Sequence, residues 1–200
     1  MRKFLFLILC AILPVLNSSG EAIILSDDKP STPESYFRIK VKTNINQFVI
    51  HHQKPWDYTL FISDQGNESS NAYSIIRIPV ENLKAKNKLM EKEFFKMLNV
   101  RENPYIIIKL PKKQLVRGIQ EDAAILNIPS SITFAGATTN SLLSMATRAL
   151  DKNTYYISGS EQMKLSDFNL DPPQKLGGAI RVKSNVLINF GLSIHYNGDQ

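Results

Sequence analysis

The side chains of this sequence that could do chemistry are few and poorly spaced for it. Three histidines and one cysteine are the natural starting points for acid–base, nucleophilic or metal chemistry. His51 and His52 are adjacent, and neighbouring side chains on a strand leave opposite faces, so the pair cannot easily share one metal ion. His195 has no second ligand at a metal-binding spacing, and Cys10 sits inside an apolar N-terminal run. Asp167 and Asp171 fall in a stretch of Ser, Asn and Pro, where capping and turn formation account for them. The sequence has no Gly-x-Ser-x-Gly elbow, no phosphate-binding glycine loop and no His-Glu-x-x-His pair. The expectation is therefore a protein that is not an enzyme, with no catalytic residue, no metal site and no cofactor.

The first residues read as an export signal. Arg2 and Lys3 precede the apolar run Phe4 to Leu16, and small or polar residues follow at Asn17 to Ala22. The run falls short of the ~20 residues that a spanning helix needs, and Pro14 lies near its end. Residues 1–20 are read as a signal peptide cleaved after Gly20 or Ala22, which removes Cys10 and excludes disulfides and thiol chemistry from the mature chain. The expected location is outside the cytoplasm, in the periplasm. Without Arg2 and Lys3 the chain keeps 22 Lys and Arg against 18 Asp and Glu, a mildly basic balance that carries no nucleic-acid signature.

The elements that must position any site come from the hydrophobic periods. Residues 21–34 show no sustained period and form an irregular lead-in. From Tyr36, apolar Phe37, Ile39 and Val41 alternate with Arg38, Lys40 and Lys42, the period of a strand with one buried face. Tyr58 to Ile62 and Asn71 to Pro79 read as a hairpin around the turn-rich Ser63 to Ser70, where Asn67-Glu68-Ser69 also fits a glycosylation acceptor. Between Leu83 and Leu98 the period becomes helical, with Leu83, Met90, Phe94, Met97 and Leu98 opposite a lysine-rich face. Strand character resumes at Tyr105 to Leu110. It continues through Ala124 to Phe134, where Pro129 marks an edge or a bulge. Leu143 to Ala149, Tyr155 to Leu165 and Ile180 to Ile194 follow. One domain over 35–196 is expected, all-β, an antiparallel barrel of about eight strands with one short amphipathic helix, since closure removes exposed edges.

Several stretches carry a family resemblance. Thr43-Asn44-Ile45-Asn46-Gln47-Phe48 follows the first strand, Ile78-Pro79-Val80-Glu81-Asn82-Leu83 precedes a helix containing Lys88-Leu89-Met90, and Pro104-Tyr105-Ile106 comes after it. Leu165-Ser166-Asp167-Phe168, Asp171-Pro172-Pro173 and Gly177 to Lys183 then occur in order. Together they resemble the YceI-like family of secreted, lipocalin-like lipid-binding barrels, over about Tyr36 to Ile194. One departure is Ala135 to Asn140, where the family usually has a Gly-Val-Thr-Lys-like turn. The resemblance implies non-covalent binding of an isoprenoid-like or other long-chain lipid inside the barrel.

The inward register supplies the candidate cavity lining: Leu126, Ile132, Phe134, Leu143, Met145, Tyr155, Ile157, Met163, Val186, Ile188, Phe190 and Leu192. A barrel of this size either fills its interior with side chains or holds one small apolar ligand, and both outcomes share this pattern. Arg148, Lys164, Arg181 and Lys183 face outward, which leaves the tail cavity uncharged. Glu161 shares the inward parity, where an unpaired carboxylate is costly. Either Gly159 marks a bulge that resets the register, the preferred expectation, or Glu161 sits near the mouth. The lysine-rich helix could touch a membrane surface transiently, but Glu81, Glu91 and Glu93 dilute its charge and favour a role covering the barrel. A free strand edge leaves room for a homodimer. The alternative function is a non-catalytic envelope interaction module with a packed barrel and loops such as Ser166 to Leu176 as its contact surface.

Overall fold

In a computed structural model, the described residues are 33–52, 61–62, 73–122, 124–172, 174–175 and 180–196. The signal peptide with Cys10, nearly all of the lead-in, and the 63–70 turn with its glycosylation pattern lie outside them.

The strands are β1 (Tyr36–Thr43), β2 (Gln47–His52), β3 (Phe61–Ile62), β4 (Tyr73–Pro79), β5 (Leu83–Ala85), β6 (Tyr105–Pro111), β7 (Leu126–Phe134), β8 (Ala137–Ala149), β9 (Thr154–Lys164), β10 (Gln174–Lys175) and β11 (Ile180–His195). Every pairing is antiparallel, in the order β3-β4-β6-β7-β8-β9-β11-β1-β2-β5, and β10 adds to β11. The two ends of this order belong to one stretch of chain. β4 pairs β6, a single 3-10 turn (Val80–Asn82) follows, and β5 then pairs β2. Nine strands thus make a near-closed barrel, with β3 and β10 as two-residue additions. The expected count of about eight leaves out β5, whose Leu83 the sequence reading places at the start of the helix.

Two helices are present among the described residues, not one. α1 (Lys88–Leu98) begins after the expected start, because Leu83 to Ala85 is drawn into the ladder with β2. Asn87 caps it, its side chain accepting from the backbone N–H groups of Leu89 and Met90. α2 (Lys112–Gln120) buries Leu115 and Ile119, and Gly118 lies within it. The Thr147 hydroxyl donates to the Gly118 carbonyl at 2.6 Å, fixing α2 against the wall near Leu126. α1 covers the barrel end that holds Phe134 and Val186, and α2 covers the opposite end. Hydrogen bonds from Ser193 to Ser35 and Pro33 tie the chain ahead of β1 to β11.

The alternating pattern does what its period dictates. Phe37, Ile39 and Val41, then Ile76 and Ile78, Ile106, Ile108 and Leu110, and Ile188, Phe190, Leu192 and Ile194 all point inward and are buried. β7 and β8 join through two residues, with Phe134 opposite Ala137. Ala135 and Gly136 both have positive φ (51° and 80°), the conformation that matches the twist of a two-residue hairpin. Pro129 causes no bulge. It pairs in register with Leu142, while β6 pairs only as far as Ser131, so on its other side the proline lies at a strand edge.

Gly159 is not a bulge either. The β9–β11 ladder runs unbroken from Asn185 opposite Lys164 to His195 opposite Thr154, with Phe190 opposite Gly159. The Phe190 ring lies across the glycine, so a Cβ there would come 2.5 Å from Phe190 Cε1. Overpacking of a filled core costs about 1–3 kcal/mol. Gly159→Ala is therefore expected to destabilise the protein by about that amount in urea unfolding, and Phe190→Leu in the same chain to recover part of the loss. Equal stability of Gly159→Ala and the parent would refute this packing.

Candidate functional site

The site is best built from the α1 end of the barrel. α1 lies over the opening with Phe94 and Leu98 buried, and Met90 and Met97 half-buried. The helix therefore covers the barrel with its apolar face, as its dilute charge suggested. Below it is an apolar cavity of about 30 Å³, lined by Ile39, Val41, Phe48, Met90, Glu93, Phe94, Met97, Phe134, Leu165, Val182 and Val186. Phe168, buried on the 3-10 turn Leu165–Phe168, backs it by packing edge-on to Phe134, ring centroids 5.5 Å apart. The segment after β9 is thus part of the barrel's floor as well as a connection.

Two larger clefts adjoin the cavity. An open groove of about 740 Å³ runs between the β1–β2 turn and the start of α1, lined by Thr43, Ile45, Asn46, Gln47, Phe48, Val49, His51, Lys86, Asn87 and Met90. Phe48 and Met90 line both spaces. The second cleft lies on the outer wall and shares Val186 with the cavity.

Glu91 holds the first turn of α1 in place. Its buried carboxylate accepts from the Ala85 backbone N–H at 2.9 Å and from Lys88 Nζ at 3.3 Å, and Lys84 Nζ lies 3.8 Å away. The backbone bond from Ala85, which outweighs the cost of burial, and the two lysines hold its pKa below the ordinary 4.5.

Of the candidates read from the sequence, only Phe134 and Val186 line this cavity. Ile132, Leu143, Met145, Ile157, Met163, Ile188, Phe190 and Leu192 are buried along the barrel's length. Leu126 and Tyr155 are partly buried towards the α2 end, Tyr155 against Tyr196 with centroids 6.3 Å apart. The cavity's other lining comes from β1, β2 and α1, from Leu165 just after β9, and from Val182 near the start of β11. Helical spacing did mark Met90, Phe94 and Met97, but nothing local showed that they would close over this end.

Glu161 keeps the inward parity that the unbroken ladder imposes, which overturns the expected reset at Gly159. Its carboxylate accepts from the Ser141 hydroxyl, and Ser130 Oγ donates to the Ser141 carbonyl at 3.2 Å. The acid is half-buried and hydrogen-bonded, which lessens the cost of facing inward. Arg148, Lys164, Arg181 and Lys183 are exposed on the outer wall, as expected. His51 faces outward and His52 inward. No group of three or more His, Cys, Asp and Glu side chains that could hold a metal occurs among the described residues. No helix among them is long and apolar enough to cross a membrane.

No family model and no curated protein matches the sequence. Solved structures do match the fold. A polyisoprenoid binding domain from Saccharophagus degradans implicated in plant cell wall breakdown aligns over 82% of this chain and 94% of its own, at TM-score 0.62 and 9% identity. BcnA of Burkholderia cenocepacia aligns over 80% and 96%, at TM-score 0.59 and 13% identity. A mutant CJ YceI protein aligns over 70% and 82%, at TM-score 0.50 and 14% identity. The chain therefore has a YceI-like, lipocalin-like β-barrel fold.

The Glu91 clamp has a pH signature. A carboxylate with a lowered folded pKa stabilises the fold fully above its unfolded value, and this contribution fades as pH falls through the folded value, below 4.5. Glu91→Gln is expected to lose about 1–3 kcal/mol at pH 7, and the gap to the parent should narrow in acid. Denaturant unfolding of both proteins across this range checks it, and a pH-independent gap would rule out the ionised clamp.

Proposed function

We propose that this protein is a non-catalytic carrier that sequesters an isoprenoid-like or other long-chain lipid, with the apolar tail in the barrel interior beneath α1, and that it works after export, in the periplasm. The observation that carries this reading is the apolar cavity under α1, which shares the lining residues Phe48 and Met90 with an open groove. The polyisoprenoid binding named for the Saccharophagus degradans domain supports the choice of ligand class.

The cavity's size sets the mechanism. A space of about 30 Å³ is far too small for a long-chain tail, so a tail enters only as the lining moves aside. Met90 and Met97, unbranched and polarizable, can re-pack around an irregular guest. The Glu91 clamp keeps the start of α1 anchored while the side chains that line both groove and cavity turn away. Transfer of the tail from water drives uptake at about 0.8 kcal/mol per buried methylene, and the polar head stays at the groove among Asn46, Gln47 and Asn87. Candidate lining further along the barrel, from Ile132 to Leu192, receives a tail longer than the first cavity.

Native mass spectrometry of protein purified without detergent tests the reading. A co-purifying apolar mass is expected, and Val186→Leu or Met97→Phe, whose added volume is on the order of the cavity's, should lower its occupancy at least about tenfold with the circular dichroism unchanged. Protein that is always empty, and that takes up no added long-chain isoprenoid alcohol, would sink the proposal.

A further inference from the structure

The outer wall carries a feature that lipid burial does not use. Where β1 meets β11 the register breaks: Val41 pairs Val186, but Thr43 pairs Val182. Three residues of β11, Lys183 to Asn185, thus face one of β1, Lys42. At this break lies a cleft of about 460 Å³ lined by Lys40, Lys42, Gln47, Gln162, Lys183, Asn185, Val186 and Leu187. Arg38 lies further along β1, and exposed Lys164 sits opposite Asn185 on β9. Among the described residues, the outward positions of β1, β9 and β11 carry no Asp or Glu. A concave site with three lysines, three side-chain amides and no acid has the charge complement of phosphate esters.

Next to this basic wall are exposed apolar side chains. Ile45, in the β1–β2 turn, is 69% exposed, and Leu89, on the first turn of α1, is 53% exposed. Ile45 lines the groove beside the cavity mouth, and Gln47 lines both that groove and the lysine cleft. A soluble polyanion would use the lysines but has no use for these two. The wall's aromatic rings, Tyr36 and Tyr156, stand at the far end of the strands, beneath Arg38 and Arg148, and offer no stacking platform at the cleft.

We propose that the β1–β9–β11 wall docks the protein on an anionic lipid bilayer, with Lys40, Lys42 and Lys183 taking headgroup phosphates and the β1–β2 turn dipping Ile45 into the interface. This orientation turns the groove at Phe48 and Met90 toward the bilayer. Docking does not depend on cargo, so it stands or falls separately from lipid carriage.

Vesicle flotation of the full chain tests it, with phosphatidylcholine alone and with roughly one-third phosphatidylglycerol. Binding is expected only to the anionic vesicles, and it should be lost near 1 M salt, where screening acts within about 3 Å. Each lysine near an anionic surface contributes about 1 kcal/mol, roughly fivefold, so Lys40→Ala, Lys42→Ala and Lys183→Ala together should weaken binding about 100-fold. Lys109→Ala, on the outer face of β6, should leave it unchanged. Ile45→Ser, which removes the apolar side chain without adding charge, should weaken vesicle binding while leaving any heparin binding intact. The proposal is overturned if the wild-type protein ignores anionic vesicles or binds neutral ones equally well. It is also overturned if the triple variant binds like wild type, or if heparin or duplex DNA binds and Ile45→Ser has no effect on vesicles.

Discussion

The structure depends on one continuous register, running from β9 through β11 into β1, that keeps a single parity of side chains inside the barrel. Phe190 on Gly159 pins it at its centre. A ring that lies across a glycine can sit opposite only that residue, and a slip of β11 by one would turn Val186, Ile188, Phe190 and Leu192 out to solvent together. Glu161 faces inward for the same reason. The gain from burying its apolar neighbours exceeds the cost of one half-buried acid, and Ser141 lowers that cost with a hydrogen bond. The polar exception follows from the apolar rule.

Closure is achieved less rigidly. The stretch from Tyr73 to Ala85 changes partner across one 3-10 turn, from β6 to β2, so the ring is near-closed without a continuous ladder at that point. The same stretch leads directly into α1, whose first turn Glu91 ties back to Ala85. Barrel closure and the cover over the cavity therefore share one strand end. A disturbance of β5 would reach both, whereas the α2 end, held through Thr147 and Gly118, is anchored to different strands.

Much of this was legible in the sequence, for identifiable reasons. Alternation in β1, β9 and β11 is strict and spans many residues, so parity, burial and the outward lysines could be read directly. α2 could not, because nine residues holding Leu115, Ile119 and an internal Gly118 give too few apolar positions at helical spacing to stand out. Leu83 carries the helical period but serves as strand, because pairing with β2 overrides a local preference. Gly159 was legible as special and was misread, since a bulge and a close approach leave the same mark on a single sequence.

The site was the least legible part, and the cause is geometric. Strand parity reports which side chains face inward but not at which height of the barrel space is left over, and that is decided by elements outside the strands. Met90 and Phe94 on α1, Leu165 on the turn after β9, and Phe48 on the short β2 together bound the cavity. Each belongs to a segment too brief to announce its partner. The outer cleft follows the same logic: its lysines are plain in the alternation, but the three-against-one break between β11 and β1 beside which they gather exists only once the two strands are paired. Chemistry-bearing residues can thus be read from spacing, while the hollows that give them a use arise where spacing fails.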